Sequence, residues 1–313
     1  MYQSILQQVV CKNRPPIDIV QRIFEVYPNA LTEQDAFGWL PLHYACANGS
    51  SAELVMFLTN IYPDSKVVID RRGRTPLHFA VGNEDRSPDP ASVRILAETG
   101  AARRADENGS LPLHYACAYG ASDEVLKILL ESVPSSTTAV DFKGRTPLHF
   151  AMGNAEKEWT PAIVQLLLEQ NPDVVNDKDN EDNLPLQLLA NEAKSVPLDH
   201  SKKSEKKREN TMKCLDHYLN AIPEPNADFL NALKNLPSWL LDHAVISETV
   251  QVMLNEKISQ KFPTAFMLLD GISLVLVIVF YQLALLDYLK FRYNGEEEPD
   301  FFRTYVGFLY GGM

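Results

Sequence analysis

Cysteine is scarce in this chain, and basic residues are outnumbered by acidic ones. There are 4 cysteines among 313 residues, and no two of them form a CxxC pair. Their scatter argues against a disulfide framework or a zinc site and fits a reducing compartment. The 29 Lys and Arg residues against 41 Asp and Glu give a formal net charge of −12. Because phosphate contacts need clustered basic residues, this composition speaks against general nucleic-acid binding.

The sequence also lacks the common signatures of catalysis. It contains neither GxxxxGK[ST] nor GxGxxG, and its carboxylates are spread along the chain instead of being paired. We therefore predict a protein that is not an enzyme, with no cofactor, no metal and no small-molecule substrate. The N-terminus has no long apolar run and no cleavage-site pattern, so we expect no signal peptide and a cytosolic or nuclear location for the folded part.

A repeated segment dominates the first two thirds of the chain. The strings GWLPLHYACANG, GRTPLHFAVGN, GSLPLHYACAYG and GRTPLHFAMGN are followed by a weaker copy, DNLPLQLLANE. The prolines of successive copies lie 35 to 38 residues apart, at Pro41, Pro76, Pro112, Pro147 and Pro185. The first copy matches the third, and the second matches the fourth. This alternation indicates that a unit of two repeats was duplicated.

Each copy predicts the same local structure. An Asp opens a turn, and in four of the five copies a Gly follows three residues later, where a positive φ is needed. The proline then falls in the first turn of a helix, where its missing N–H costs nothing. A second apolar-periodic helix follows, such as Glu53–Ile61, and it ends near another proline. The sequence thus predicts an all-α fold of helix–turn–helix units.

The motif T-P-L-H-x-A stands at Thr75–Ala80 and at Thr146–Ala151, with Leu in place of Thr at positions 40 and 111. In this it resembles the ankyrin repeat. The resemblance implies an elongated solenoid with short β-turn tips, whose repeats bury their faces only on their neighbours. We predict an incomplete capping repeat over residues 1–32 and five copies over 33–225, with a charged insert at about 194–210.

By this resemblance, a protein partner should contact the turn tips and the inner helix face. Aromatic residues and arginine at the tips are the types that tend to anchor interfaces. The candidate protein-binding residues are Phe37, Trp39, Arg71, Arg72, Arg74, Asn108, Phe142, Lys143 and Arg145. The partner itself is not named by the sequence.

Four histidines recur once per repeat, at His43, His78, His114 and His149. A metal site or acid–base pair would require them to converge, whereas a solenoid holds them one repeat apart. The resemblance implies instead that each bonds locally to the backbone and stabilises the turn. The cysteines at matching helix positions, Cys46 and Cys117, are interpreted as small core residues.

The run KKSEKKR at 202–208 is interpreted as a solvated, mobile loop within the fifth copy. Two other interpretations stay open, a nuclear import signal and an electrostatic hook for anionic lipid. Its serines offer phosphorylation sites, although nothing in the sequence requires them to be used.

The repeat signal ends near residue 225. We predict juxtamembrane amphipathic helices over 226–263, one transmembrane helix over 264–290 and an acidic, then aromatic, tail over 291–313. Within the segment 264–289, the stretch between Asp270 and Asp287 contains no Lys, Arg, Asp or Glu. As a helix this stretch is long enough to place both aspartates near the membrane interfaces. With no signal peptide, the repeat array should face the cytoplasm. A helix that packs on the last repeat is the alternative.

These observations predict a non-enzymatic scaffold for protein–protein interactions, anchored to a membrane. One alternative is the cytosolic regulatory or assembly domain of a truncated multi-pass channel or transporter, since the layout resembles that of transient-receptor-potential-type channels. A soluble ankyrin adaptor is the other alternative.

Overall fold

The computed structural model describes residues 16–83, 89–153 and 160–253. The regular structure of these ranges is helical, as predicted, and the described residues up to 251 belong to one compact unit. The α-helices are α1 Ile17–Val26, α2 Pro41–Ala47, α3 Ala52–Ile61, α4 Pro76–Val81, α5 Pro90–Ala97, α6 Pro112–Tyr119, α7 Asp123–Ser132, α8 Pro147–Met152, α9 Pro161–Gln170, α10 Pro185–Ala193, α11 Lys202–Asn220, α12 Ala227–Lys234 and α13 Ser238–Ile246.

The helices stack in two layers. The inner helices α2, α4, α6, α8 and α10 pack on one another in chain order, and so do the outer helices α3, α5, α7, α9 and α11. Each repeat therefore contributes one helix to each layer. At the N-terminal end, α1 lies beside the outer layer, where the Phe24 and Phe57 ring centroids are 6.4 Å apart. This arrangement is the solenoid that the sequence predicted.

The inner helices begin where the sequence places their prolines. Pro41 occupies the first turn of α2, and the backbone N–H of Leu40 donates to the ring of His43 at 3.0 Å. The helix is short, and Leu42, Ala45 and Cys46 are buried on its apolar face. Small residues at two of these three positions let neighbouring helices approach closely. The same pattern starts α4, α6 and α8, and α10 begins in the same way with Gln187 in place of the histidine.

The outer helices supply the larger aliphatic side chains of the core. In α3, Leu54, Val55 and Leu58 are buried while Met56 is exposed, as an amphipathic helix requires. In four places a helix ends just before a proline, as predicted, and that proline starts a 3₁₀ turn. These turns are Pro28–Leu31, Pro63–Val67, Pro134–Thr138 and Pro172–Asn176.

The charged run at 202–208 is not a loop, so its interpretation as a mobile insert was wrong. It forms the first turns of α11, the longest of the described helices. The Ser201 hydroxyl accepts a hydrogen bond from the Ser204 N–H at 3.2 Å and caps the helix. Lys, Glu and Arg are good helix formers, so once capped the run continues into the apolar half of α11, which holds Cys214 and Leu215 in the core.

A further pair of helices follows the fifth copy. Helix α12 packs on α10 in the inner layer, and α13 packs on α11 in the outer layer. Phe229 and Leu240 are buried in this pair. The helices that the sequence placed at 226–263 thus continue the two-layer stack as far as Ile246, without the repeat motif.

The predicted transmembrane helix at 264–290, the membrane segment 264–289 and the tail at 291–313 lie outside the described residues. Within the part of the chain that the structure describes, no helix combines the length and the apolar character that a membrane crossing needs. In the second and fourth copies, the connection between the two helices is longer than in the first and third, and residues 84–88 and 154–159 of these connections also lie outside the described residues.

Candidate functional site

Every tip is organised by its aspartate. In the second repeat the Asp70 Oδ1 atom accepts hydrogen bonds from the backbone N–H groups of Arg72 (2.9 Å) and Arg74 (2.8 Å). Gly73 adopts a φ of +74°, which a residue with a Cβ rarely tolerates. The equivalent carboxylates at the other four tips make the same pair of bonds. The predicted turn chemistry is therefore present at all five tips.

Neighbouring tips are joined by single backbone hydrogen bonds. The four donor–acceptor pairs are Arg71 N to Phe37 O (3.0 Å), Glu107 N to Arg72 O (2.8 Å), Phe142 N to Asn108 O (2.8 Å) and Asn180 N to Lys143 O (2.8 Å). The contact is tight, because a Cβ on Gly73 would lie 3.0 Å from the Glu107 nitrogen. Six of the nine candidate residues thus take part, through their backbone, in the row of tips.

The second oxygen of the tip aspartate is satisfied in two alternating ways. In the first and third repeats a tyrosine hydroxyl donates to it, Tyr44 to Asp35 at 2.6 Å and Tyr115 to Asp106 at 2.8 Å. In the second repeat, where Phe79 replaces the tyrosine, the Arg74 guanidinium donates two bonds of 3.0 and 2.8 Å to Asp70.

The fourth repeat has the same arginine arrangement as the second. Arg145 donates to Asp141 at 2.9 and 2.7 Å, and its guanidinium carbon lies 4.3 Å from the centroid of the Phe150 ring. Arg74 lies over Phe79 at the same distance. The alternation of the two kinds of copy in the sequence is thus a choice between a tyrosine and an arginine–phenylalanine pair.

The tip arginines keep these buried carboxylates charged. Burial raises the pKa of Asp70 and of Asp141, but the hydrogen bonds and the charge of Arg74 and Arg145 outweigh it, and each pKa lies below its ordinary value. Both carboxylate side chains are only 1% exposed. They are neutralised within the protein and present no negative charge to a ligand.

The motif histidines are structural, as the sequence analysis concluded. The His78 Nδ1 atom accepts from the Thr75 N–H at 3.0 Å, which leaves Nε2 to donate to the carbonyl of Ser110 in the next repeat at 3.2 Å. His43, His114 and His149 bond in the same way, each reaching the following repeat. Burial lowers the pKa of His43 and of His78 to about 4, and it lowers those of His114 and His149 as well. All four rings are neutral and link neighbouring repeats through hydrogen bonds.

The cysteine thiols are placed in the core. Cys46 and Cys117 lie on the buried faces of α2 and α6, as expected, and burial raises the pKa of both thiols. Cys214 is buried on α11, and burial raises its pKa to about 12. Among the residues that the structure describes, no three His, Cys, Asp or Glu side chains are grouped so as to hold a metal ion.

Two grooves lie between the tips and the inner helices, and the nine candidate residues line them. The first groove, of about 390 Å³, is lined by Phe37, Trp39, Arg71, Arg72 and Arg74. The second groove, of about 430 Å³, is lined by Asn108, Phe142, Lys143 and Arg145. The structure therefore brings the candidates together as two clusters, one in each two-repeat unit.

The candidates differ in how free their side chains are. Phe37 and Phe142 are 67% and 74% exposed, and Arg71, Arg72, Asn108 and Lys143 are exposed as well. Trp39 is half-buried, because its indole N–H donates to Asp70 at 3.2 Å and its ring packs 4.4 Å from the Phe79 centroid. Arg74 and Arg145 are held by their aspartates. These three form the groove walls.

Several aromatic residues that line both grooves were not predicted from the sequence. Tyr44 lines the first groove, and Tyr115, Tyr119 and Phe150 line the second. A signal was present, since Tyr and Phe alternate directly after each motif histidine. Tyr and Phe alternate in step with the residue four positions after the tip aspartate. The sequence alone does not show that the side chains at these two positions bond to the same aspartate or contact each other.

Comparison with known protein families gives three matches along the repeat array. A model described as "Ankyrin repeats (3 copies)" matches residues 6–101, one described as "Ankyrin repeats (many copies)" matches residues 96–151, and one described as "Ankyrin repeat" matches residues 143–180. Together they extend over more than half of the chain. A comparison with curated proteins gave no significant match.

Among solved structures, the chain is similar to the ankyrin repeat domain of Bcl-3, described as a unique member of the IkappaB protein family. The two share 21% sequence identity with a TM-score of 0.55, and the alignment covers 76% of this chain and 96% of the other. At this identity the likeness concerns the fold alone.

Proposed function

Because the chain belongs to the ankyrin repeat family, we propose that it is a non-enzymatic scaffold that binds a protein partner through the two grooves. The observation that carries this proposal is the exposure of two phenylalanines, Phe37 and Phe142, each beside an exposed cation in a groove. Aromatic residues and arginine are enriched at protein interfaces.

Each groove presents a preformed surface to a partner. The tip arginines are already bonded to the tip carboxylates, and the histidine rings are already bonded to backbone groups, so a partner meets side chains that are fixed in place. The side chains left to adjust are the exposed ones at the rim, such as Arg71 and Lys143. Little conformational entropy is then lost on binding, which helps affinity.

Site-specific photocrosslinking in cells tests this proposal. We would place a benzoylphenylalanine at Phe37 or Phe142, where the native ring is exposed, and at Met56 on the outer helix α3 as a matched exposed control. Discrete protein adducts from the two groove positions, absent from the control, are expected. Equal labelling at all three positions, or none at any, would contradict the proposal.

We further propose that this scaffold is anchored to a membrane through 264–289, with the array facing the cytoplasm. The support is the uncharged stretch between Asp270 and Asp287, flanked downstream by Tyr288, Lys290 and Arg292, residues that suit an interface. The soluble adaptor and the domain of a larger channel or transporter are the competing functions.

Alkaline extraction of membranes separates these functions. The full chain is compared with a version that stops at Phe262, which keeps every described residue. Retention of the full chain in the pellet with release of the truncated version supports the anchor. Release of both versions supports the soluble adaptor, and further spans in a longer transcript would support the channel or transporter.

A further inference from the structure

The two grooves carry the same chemistry twice. In the first, Phe37 is accompanied by the exposed guanidinium groups of Arg71 and Arg72, and in the second, Phe142 is accompanied by the exposed amine of Lys143. Within the described parts of the chain, neither Arg71 nor Lys143 has an ion-pair partner within 4.0 Å. Each groove thus offers an apolar ring and an unneutralised cation side by side.

Negative charge is withheld from the grooves. The carboxylates of Asp70 and Asp141 line them but are 1% exposed and each is bound by two guanidinium nitrogens. On the third tip, beside the second groove, Asp106 is buried and accepts from the uncharged Tyr115 hydroxyl, and the exposed Glu107 is partly offset by Arg72, whose Nε lies 3.8 Å away. In a protein with a net charge of −12, the charged side chains that line each groove are thus mostly cations, three arginines against Asp70 in the first and Lys143 and Arg145 against Asp141 in the second.

The distance between the two grooves determines how far apart along a bound peptide the contacting residues must be. Corresponding positions are two repeats apart, and packed helices are about 8–10 Å apart, so the sites are separated by roughly 16–20 Å. An extended peptide rises about 3.3 Å per residue. A segment lying along the tips would therefore bring side chains about 5–6 residues apart into the two grooves.

We propose that the partner is an extended, acidic peptide segment. It presents two carboxylate positions about 5–6 residues apart, one for Arg71 and Arg72 and one for Lys143, with an apolar side chain beside each for Phe37 and Phe142. This inference rests on the proposed scaffold function and adds the chemical class of the segment bound. Charge complementarity carries it, because a basic or uncharged segment would leave the cations without partners.

Selection from a random linear peptide library against the full chain tests the class of partner. The enriched peptides are expected to contain Asp or Glu at two positions with this spacing, next to aromatic or aliphatic residues. Enrichment of basic or uncharged peptides would overturn the proposal, and so would the absence of enrichment. Adducts from the photocrosslinker at Phe37 would still support the scaffold in either case, so the two failures are distinguishable.

The contribution of charge is then measured by fluorescence anisotropy with an enriched peptide. Replacing its Asp and Glu by Asn and Gln should weaken binding about tenfold or more, with a smaller effect at high salt, because exposed ion pairs are screened. The double variant R71E/R72E should show a loss of similar size. Equal affinity of the acidic and amide peptides would overturn the proposal without any mutation of the protein.

A matched variant controls for net charge. R94E/K127E reverses two exposed cations on the outer helices α5 and α7 and changes the total charge as much as R71E/R72E does. Its affinity should stay within about twofold of the unmodified chain, since a distant surface charge is screened. A loss equal to that of R71E/R72E would mean that only the overall charge matters, and it too would overturn the proposal.

Discussion

At the scale of single residues, the side chain four positions after each tip aspartate determines how the second carboxylate oxygen of that aspartate is hydrogen-bonded. Arg74 and Arg145 donate to it directly, whereas the third repeat has Ser110 at this position and relies on the Tyr115 hydroxyl. The two positions therefore vary together. Burying a carboxylate without such a partner would cost the full desolvation of the unsatisfied group.

A double-mutant cycle tests this interdependence. Arg74→Ser alone should cost about 2 kcal/mol of unfolding free energy, because Asp70 loses both guanidinium bonds. Adding Phe79→Tyr recreates the third repeat's arrangement and should recover about 1 kcal/mol, measured by urea denaturation. Pairing Arg74→Ser with Phe150→Tyr, in a different repeat, is the control and should show simple additivity. Additivity in both pairs would contradict the interpretation.

The buried histidines make stability fall in mild acid. The pKa of His43 and of His78 is about 4 in the folded state against 6.5 when exposed, so the unfolded chain takes up protons first. Stability is complete above about pH 6.5 and is lost as the pH falls towards 4. Each ring should cost roughly 2 kcal/mol by pH 5. Urea midpoints measured between pH 7.5 and 5 report the loss.

The fifth repeat supplies the control for this effect. There Gln187 replaces the histidine, and its side-chain oxygen accepts the same backbone bond, from Leu184 N–H at 2.6 Å. A variant with His43→Gln and His78→Gln keeps that local bond but does not titrate. Its stability should change less between pH 7.5 and 5 than that of the unmodified chain. An unchanged pH dependence would assign the effect to other groups.

At the scale of an element, the tips are turns that must also fit against one another. The fifth tip has Asp182 with a φ of +61° where the others have glycine. Because it is the last of the five tips, no further tip packs against it, and a Cβ can be accommodated. The turn still requires a positive φ, and Asp is one of the residues that tolerates this conformation. The glycines of the earlier tips meet both requirements.

Two glycines with the same backbone conformation separate these requirements. Gly100 has a φ of +81° and open space around a Cβ, whereas Gly73, with a φ of +74°, faces the next tip's backbone. Gly100→Ala should cost about 1–2 kcal/mol from the left-handed conformation alone. Gly73→Ala should cost roughly 1–3 kcal/mol more from overpacking. Equal losses in thermal or urea unfolding would mean that tip packing adds nothing.

The elements that were predictable from sequence are those whose causes are local. The Asp and Gly of each turn, the proline at each helix start and the apolar periodicity all act within a few residues. The first turns of helix α11 were missed because a charged segment inside a repeat was compared with the repeat pattern and not with its own helix propensity and Ser201 cap. The half-burial of Trp39 was missed because its partners, Asp70 and Phe79, belong to the next repeat.

At the scale of the whole molecule, the added pair α12–α13 covers the end of the repeat stack. Phe229 on α12 is 1% exposed, and α12 packs on α10. On the side of the outer layer, Tyr218 of α11 is buried and its hydroxyl donates to the Val175 carbonyl at 2.6 Å. In a solenoid each such interface stabilises its immediate neighbours first.

Loss of Phe229 should therefore act locally. Phe229→Ala removes a buried ring and should cost about 3–5 kcal/mol. Hydrogen exchange is expected to speed up in α10 to α13 and to change little in α2 to α4. The exposed Ile246→Ala, on α13, is the matched control and should leave exchange unchanged. A uniform increase along the array would mean that it unfolds as a single unit.

Under the proposed function, the alternation of tyrosine and arginine–phenylalanine repeats also gives the molecule two equivalent binding grooves. One groove lies in each two-repeat unit, so duplication of that unit copied a complete groove together with its buried aspartate and arginine. Once one groove holds a partner, the second meets the same chain at a high effective concentration, and the combined affinity can exceed either alone by about 10²–10⁴. Two weak sites are then enough to retain the partner selectively, because the partner can dissociate from one groove while it stays bound in the other.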